Sequence, residues 1–80
     1  MATALQDILI SDRGFAFDPT NGETFQLNTT CLRMVRLLQN GVSEAGLVIH
    51  LMEEFEVDEH TASRDVETSL RTLEALNWKP

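Results

Sequence analysis

Only one of the 80 residues is a cysteine, Cys31, so the chain has no internal disulfide to stabilise it. Cys31 lies among helical apolar residues, where a free thiol acts as a small hydrophobe. Basic side chains are also scarce. Six Lys and Arg against thirteen Asp and Glu leave a net charge of −7, which repels phosphate backbones and anionic lipid headgroups over about a Debye length. Nucleic acid and membrane surfaces are therefore poor partners. No apolar run approaches the roughly 18 residues of a membrane span, and the N-terminus lacks the basic-then-apolar layout of a secretory signal, so the chain reads as cytoplasmic. The four glycines, Gly14, Gly22, Gly41 and Gly46, are dispersed and form no phosphate-cradling loop.

What remains has the composition of an ordinary globular domain, 42% hydrophobic and 24% charged. No linker or repeat divides it, so residues 1–80 read as one domain. A chain of this length hides only roughly 60 to 65% of its unfolded surface, which disfavours a deep catalytic cleft.

Leu5 to Ile10 is a short apolar run closed by Ser11, Asp12, Arg13 and Gly14, and reads as a first strand. From Gly14 the period is two. Phe15 and Phe17, then Phe25 and Leu27, flank Asp18-Pro19-Thr20-Asn21-Gly22, which is turn chemistry, so this stretch reads as a β-hairpin with those four side chains on one apolar face. After Leu27 the period lengthens. Asn28 or Thr29 caps a helix carrying Cys31, Met34, Val35 and Leu38 and ending near Gln39, with Gly41 as its C-terminal glycine. Ser43 caps a second helix, near 44–55, and Asp58 caps the longest, near 59–76 with the stripe Ala62, Val66, Ser69 or Leu70, Leu73 and Leu76. Trp78 follows that stripe and is expected to be buried in part against the base of the helices. Amphipathic elements of both kinds must cover one another. The expected fold is α+β and winged-helix-like, a three-stranded antiparallel meander followed by three helices.

Enzyme signatures are missing. His50 and Glu54 sit one helical turn apart, but zinc needs three or four ligands and no other residues supply them at a recognisable spacing; His60 beside Glu59 is equally unsupported. The run Glu53, Glu54, Glu56, Asp58 and Glu59 reads as a solvated junction, with Asp58 and Glu59 opposing the positive end of the third helix. Ser69 has no His and acid partners in motif context, and Thr68-Ser69-Leu70 lacks the acid and the helix start that an acyl carrier needs. The chain therefore reads as a non-enzyme without cofactor or metal. A winged-helix DNA-binding or transcription-regulatory domain is the alternative by architecture. Its third helix, however, carries Glu59, Asp65, Glu67 and Glu74 against Arg64 and Arg71.

Gly14-Phe15-Ala16-Phe17-Asp18-Pro19, then Gly22, then Phe25-Gln26-Leu27-Asn28, then Arg64-Asp65-Val66 with Leu70 and Leu73, resembles the PqqD family of peptide-modification chaperones, over nearly the whole chain. The resemblance implies a recognition element for the leader peptides of ribosomally made, modified peptides. In that family the leader adds as a strand beside the third strand and leans against the third helix. Carried over, the strand is Glu23, Thr24, Phe25, Gln26, Leu27 and Asn28, and the helix is Glu59 to Leu76. The branch serving pyrroloquinoline quinone (PQQ) synthesis has Cys-Asp-Gly after the first helix, where this chain has Gln39-Asn40-Gly41. The chain thus looks more like the stand-alone branch that accompanies a kinase related to HPr kinase; a radical SAM enzyme is the other partner type implied.

The residues support the same mechanism on their own. Glu23 to Leu27 contains no proline and one charge, so little blunts that strand as a sheet edge. The core arc of the third helix is flanked by Thr61, Asp65, Thr68 and Thr72 on one side and by Ser63, Glu67 and Glu74 on the other. Either flank can border a groove, and either Thr24 with Gln26 or Phe25 with Leu27 can point amides outward.

Overall fold

The computed structural model describes residues 2–79. Its elements in order are β1 (Thr3–Ala4), a 3-10 turn (Leu5–Asp7), β2 (Leu9–Ile10), β3 (Phe15–Asp18), β4 (Glu23–Gln26), α1 (Thr29–Gln39), α2 (Glu44–Phe55), α3 (Glu59–Ala75) and β5 (Trp78–Lys79). β2, β3 and β4 form a three-stranded antiparallel sheet in that order, followed by the three helices. The α+β expectation holds.

The helices begin where short polar side chains cap them. Asn28 accepts from the Cys31 amide at 2.8 Å, Ser43 from Gly46 at 3.2 Å and Asp58 from Thr61 at 2.7 Å, each satisfying a donor that the first turn leaves orphaned. At their far ends Gly41 (φ 84°) and Glu56 (φ 53°) take the left-handed conformation that stops α1 and α2. Twelve residues of α2 would be marginal as an isolated helix. Leu47 and Leu51 are completely buried, and at about 1.5–3 kcal/mol each their burial holds α2 against α1 and α3. The lower core also contains Met34, Leu37, Ala62 and Val66, while the upper core joins Leu5, Ile8, Ala16, Cys31, Val35, Leu73 and Trp78 beneath the sheet.

Two expectations need correction. The first strand covers Leu9–Ile10 rather than Leu5–Ile10, because Leu5–Asp7 is a 3-10 turn. Leu5 and Ile8 both reach the upper core, and a spacing of three puts them on one face of a turn but on opposite faces of a strand. The aromatic face is also divided. Four residues, Pro19 to Gly22, separate Asp18 from its partner Glu23, so Phe15 pairs with Gln26, Ala16 with Phe25 and Phe17 with Thr24. Odd positions of β3 therefore share a face with even positions of β4. Phe15 and Phe17 lie on the outer face, 40% and 37% exposed, whereas Ala16 is fully buried with Phe25 and Leu27 packed around it. Beyond those expectations, a short strand follows α3. Asn77 (φ 63°) turns the chain back so that β5 pairs in parallel with β1, Thr3 opposite Trp78.

That small second sheet is organised around a buried carboxylate. Asp18 accepts from the Thr3 hydroxyl at 3.0 Å, the Trp78 indole N–H at 2.9 Å and the Thr20 amide at 2.9 Å. Burial pushes its pKa up, but these hydrogen bonds outweigh burial and hold it below the usual 3.8. Trp78 is buried as expected, and meets Phe25 edge to face at 5.5 Å.

Candidate functional site

β4 is an edge strand, bonded to β3 on one side and paired with no strand on the other among the described residues. Its outward groups follow from the register. The Leu27 amide donates to the Gly14 carbonyl at 3.2 Å, which points Leu27, and with it Phe25 and Glu23, toward β3. Alternation then turns the N–H and C=O of Thr24 and Gln26 to the open side. Phe25 and Leu27 direct half-buried side chains toward the core, and Glu23, Thr24, Gln26 and Asn28 are exposed.

The neighbouring flank of α3 is also settled by the packing. Asp65 and Thr68, with Ser69, share a shallow cavity of about 110 Å³ with Asn28 and Thr30, where β4 passes into α1. Thr61 is half-buried near the N-terminus of α3, its amide held by Asp58, and Thr72 is exposed, its hydroxyl donating to the Thr68 carbonyl. Neither lines that cavity. On the other flank Ser63 faces α2, sharing a cavity with Ala45, Val48 and Met52, and Glu74 lies beside Trp78 and Lys79. The packing thus brings Asn28, Asp65 and Thr68 together at the end of β4.

Residues 13–78 match the family model described as coenzyme PQQ synthesis protein D (PqqD). The chain belongs to the PqqD family. The match starts at Arg13, in the turn before β3, and ends at Trp78, so it spans β3, β4, all three helices and the indole that caps the core. No curated protein and no solved structure matches the chain. PqqD proteins are peptide-binding chaperones, non-catalytic accessories to the modification of a peptide in PQQ synthesis.

The one cysteine of this PqqD-family chain is buried. Burial raises the Cys31 thiol above its usual range, with the Ser69 side chain lowering it only in part, so it stays protonated and inert. Among the described residues no three His, Cys, Asp or Glu side chains gather as a metal site, and no helix is long and apolar enough to cross a membrane. In α3, Arg71 is engaged by Glu67 one turn away, while Arg64 has no ion pair among the described residues.

Two residues that tie distant segments of the fold together have roles that the sequence did not signal. Asp18 reads as a turn residue, and its second role, as acceptor for Thr3 and Trp78, depends on the meeting of three distant segments. Gln39 donates its side-chain amide to the carbonyls of Leu5 at 2.9 Å and Ile8 at 2.8 Å. It ties the N-terminal segment to the end of α1.

Proposed function

We propose that this chain binds a leader or substrate peptide by strand addition on β4 and presents it to a modifying enzyme. The observation that carries the reading is the pair of outward-facing backbone units at Thr24 and Gln26, on an edge that neither proline nor a second charge protects. An added strand would bond to these two residues. Its alternate side chains would turn inward past Phe25 and Leu27 toward Asn28, Asp65 and Thr68, with Thr61 and Thr72 extending the same flank along α3. Backbone bonding would supply affinity, and the α3 flank would supply discrimination. Neither cofactor nor metal has a part in this. The partner would be a cytoplasmic enzyme, either a kinase related to HPr kinase, favoured by Gln39-Asn40-Gly41, or a radical SAM enzyme.

The test is a heteronuclear NMR titration of the chain with synthetic peptides encoded beside its gene. Amide shifts should cluster at residues 23–28 and along the Thr61, Asp65, Thr68 and Thr72 side of α3. Shifts confined to α2 would reject strand addition.

A further inference from the structure

Half of the six cationic side chains in this acidic chain converge on one cavity. It measures about 470 Å³ and lies between the β2–β3 turn and the first half of α1, lined by Arg13 from the turn and by Thr29, Arg33 and Arg36 from the helix. The helical three share a face, because their spacings of four and three return to the same side. The turn is held in shape: the Ser11 hydroxyl accepts from the amides of Arg13 and Phe15 at 3.3 and 3.2 Å, and Gly14 adopts φ 93°.

Nearby acids only partly neutralise this group. Glu54 holds Arg33 at 2.7 Å, and Asp12, which lines the same cavity with a fully exposed side chain, stands 3.5 Å from Arg36, whereas Arg13 has no ion-pair partner among the described residues. The α1 terminus adds to the positive field. Asn28 provides acceptors for the Cys31 and Leu32 amides, and the amide of Thr29, which lines the cavity, is left without an intrahelical acceptor.

We propose that this cavity is an oxyanion site that takes a carboxylate or phosphate group. Planar guanidinium forks from a turn and from a helix converge there, and such forks match the two oxygens of either group. The rest of the chain carries most of its acidic excess, so an approaching anion would be steered to this one place. Arg13, Arg33 and Arg36 take no part in the β4 edge or the Asp65 cavity, so the site stands or falls apart from the peptide-binding reading.

The experiment is an NMR titration of the full chain at low salt, with inorganic phosphate in one arm and N-acetyl-triglutamate amide in the other. It is run on the parent, on the Arg13→Ala/Arg36→Ala double variant, and on Arg71→Ala as a cation outside the cavity. Saturable shifts at Arg13, Gly14, Thr29 and Arg33 are expected in at least one arm, weakening as salt is raised. Affinity should fall about tenfold or more in the double variant, as expected when two charge-assisted bonds are lost, while its spectrum stays folded and Arg71→Ala binds like the parent. Saturation by phosphate alone assigns a phosphate-bearing ligand, saturation by the tripeptide alone an acidic peptide segment, and saturation by both a general oxyanion site. The proposal is overturned by the absence of saturable shifts in both arms, by undiminished binding in the double variant, or by an equal loss in Arg71→Ala.

Discussion

Replacing Gln39 by alanine removes one side-chain amide that serves two carbonyls, those of Leu5 and Ile8, in a partly buried position. A neutral N–H···O bond is worth about 0.5–1.5 kcal/mol net, so the pair contributes roughly 1–3 kcal/mol. Alanine recovers a few tenths of a kcal/mol through helix propensity. A net loss of about 2 kcal/mol lowers Tm by about 8–16 °C in a domain of this size, taking roughly 4–8 °C per kcal/mol. The effect should also have a location. Gln39 anchors the 3-10 turn, which carries Leu5 into the core and leads from β1, where the Thr3 amide donates to the Asn77 carbonyl at 3.0 Å. Thermal unfolding followed by circular dichroism and by Trp78 emission gives the magnitude, and hydrogen exchange at the Thr3 amide gives the location. Gln39→Glu, which keeps the shape but sets a carboxylate against two carbonyls, should cost more than alanine. A Tm within about 2 °C of the parent for Gln39→Ala would refute the clamp, since two lost bonds exceed that. So would a full loss of stability with Thr3 exchange unchanged.

Gln26→Pro should leave the sheet intact, because the amide it deletes points to the open edge, and should weaken peptide affinity about 2- to 12-fold for one hydrogen bond lost; calorimetric titration and the amide spectrum read both. A collapsed sheet would show that the amide assignment is inverted. Asp65→Ala removes a half-buried side chain from the cavity beside Asn28 and should change peptide affinity more than Tm; the reverse order would remove Asp65 from the recognition surface. Asp18 and Asp58 are both held below the ordinary 3.8, Asp18 by hydrogen bonds that outweigh its burial and Asp58 chiefly by the Thr61 amide and hydroxyl. Depressed folded values mean that their stabilisation is complete above 3.8 and disappears as pH falls through the lowered values. Acid unfolding monitored at Trp78 should therefore begin only below that pH, and Asp18→Asn should flatten the acid limb; an unchanged limb would show that Asp18 does not govern it.

The sequence by itself determined the helices. Asn28 or Thr29, Ser43 and Asp58 are the caps it indicates, and the structure uses Asn28; Gly41 takes the left-handed conformation, and α1, α2 and α3 lie within one residue of the expected bounds. These signals act over three or four residues, so the chain carries them locally. The same is true of the hairpin turn and of the poorly protected Glu23–Leu27 edge. Tertiary structure decided what depends on distant partners. Which face of β3 turns inward was settled by the four-residue loop and by burial of Ala16 and Asp18, so Phe15 and Phe17 went outward although their hydrophobicity points the other way. β1 and β5 are two residues each, too short for any alternation to register, and they exist because Asn77 reverses the chain and Asp18 joins Thr3, 15 residues before it, to Trp78, 60 residues after it. The choice of α3 flank was likewise beyond the helical pattern, which is symmetrical about its apolar stripe. Only the packing of Ser63 against α2 and of Asp65 against Asn28 distinguished the two sides.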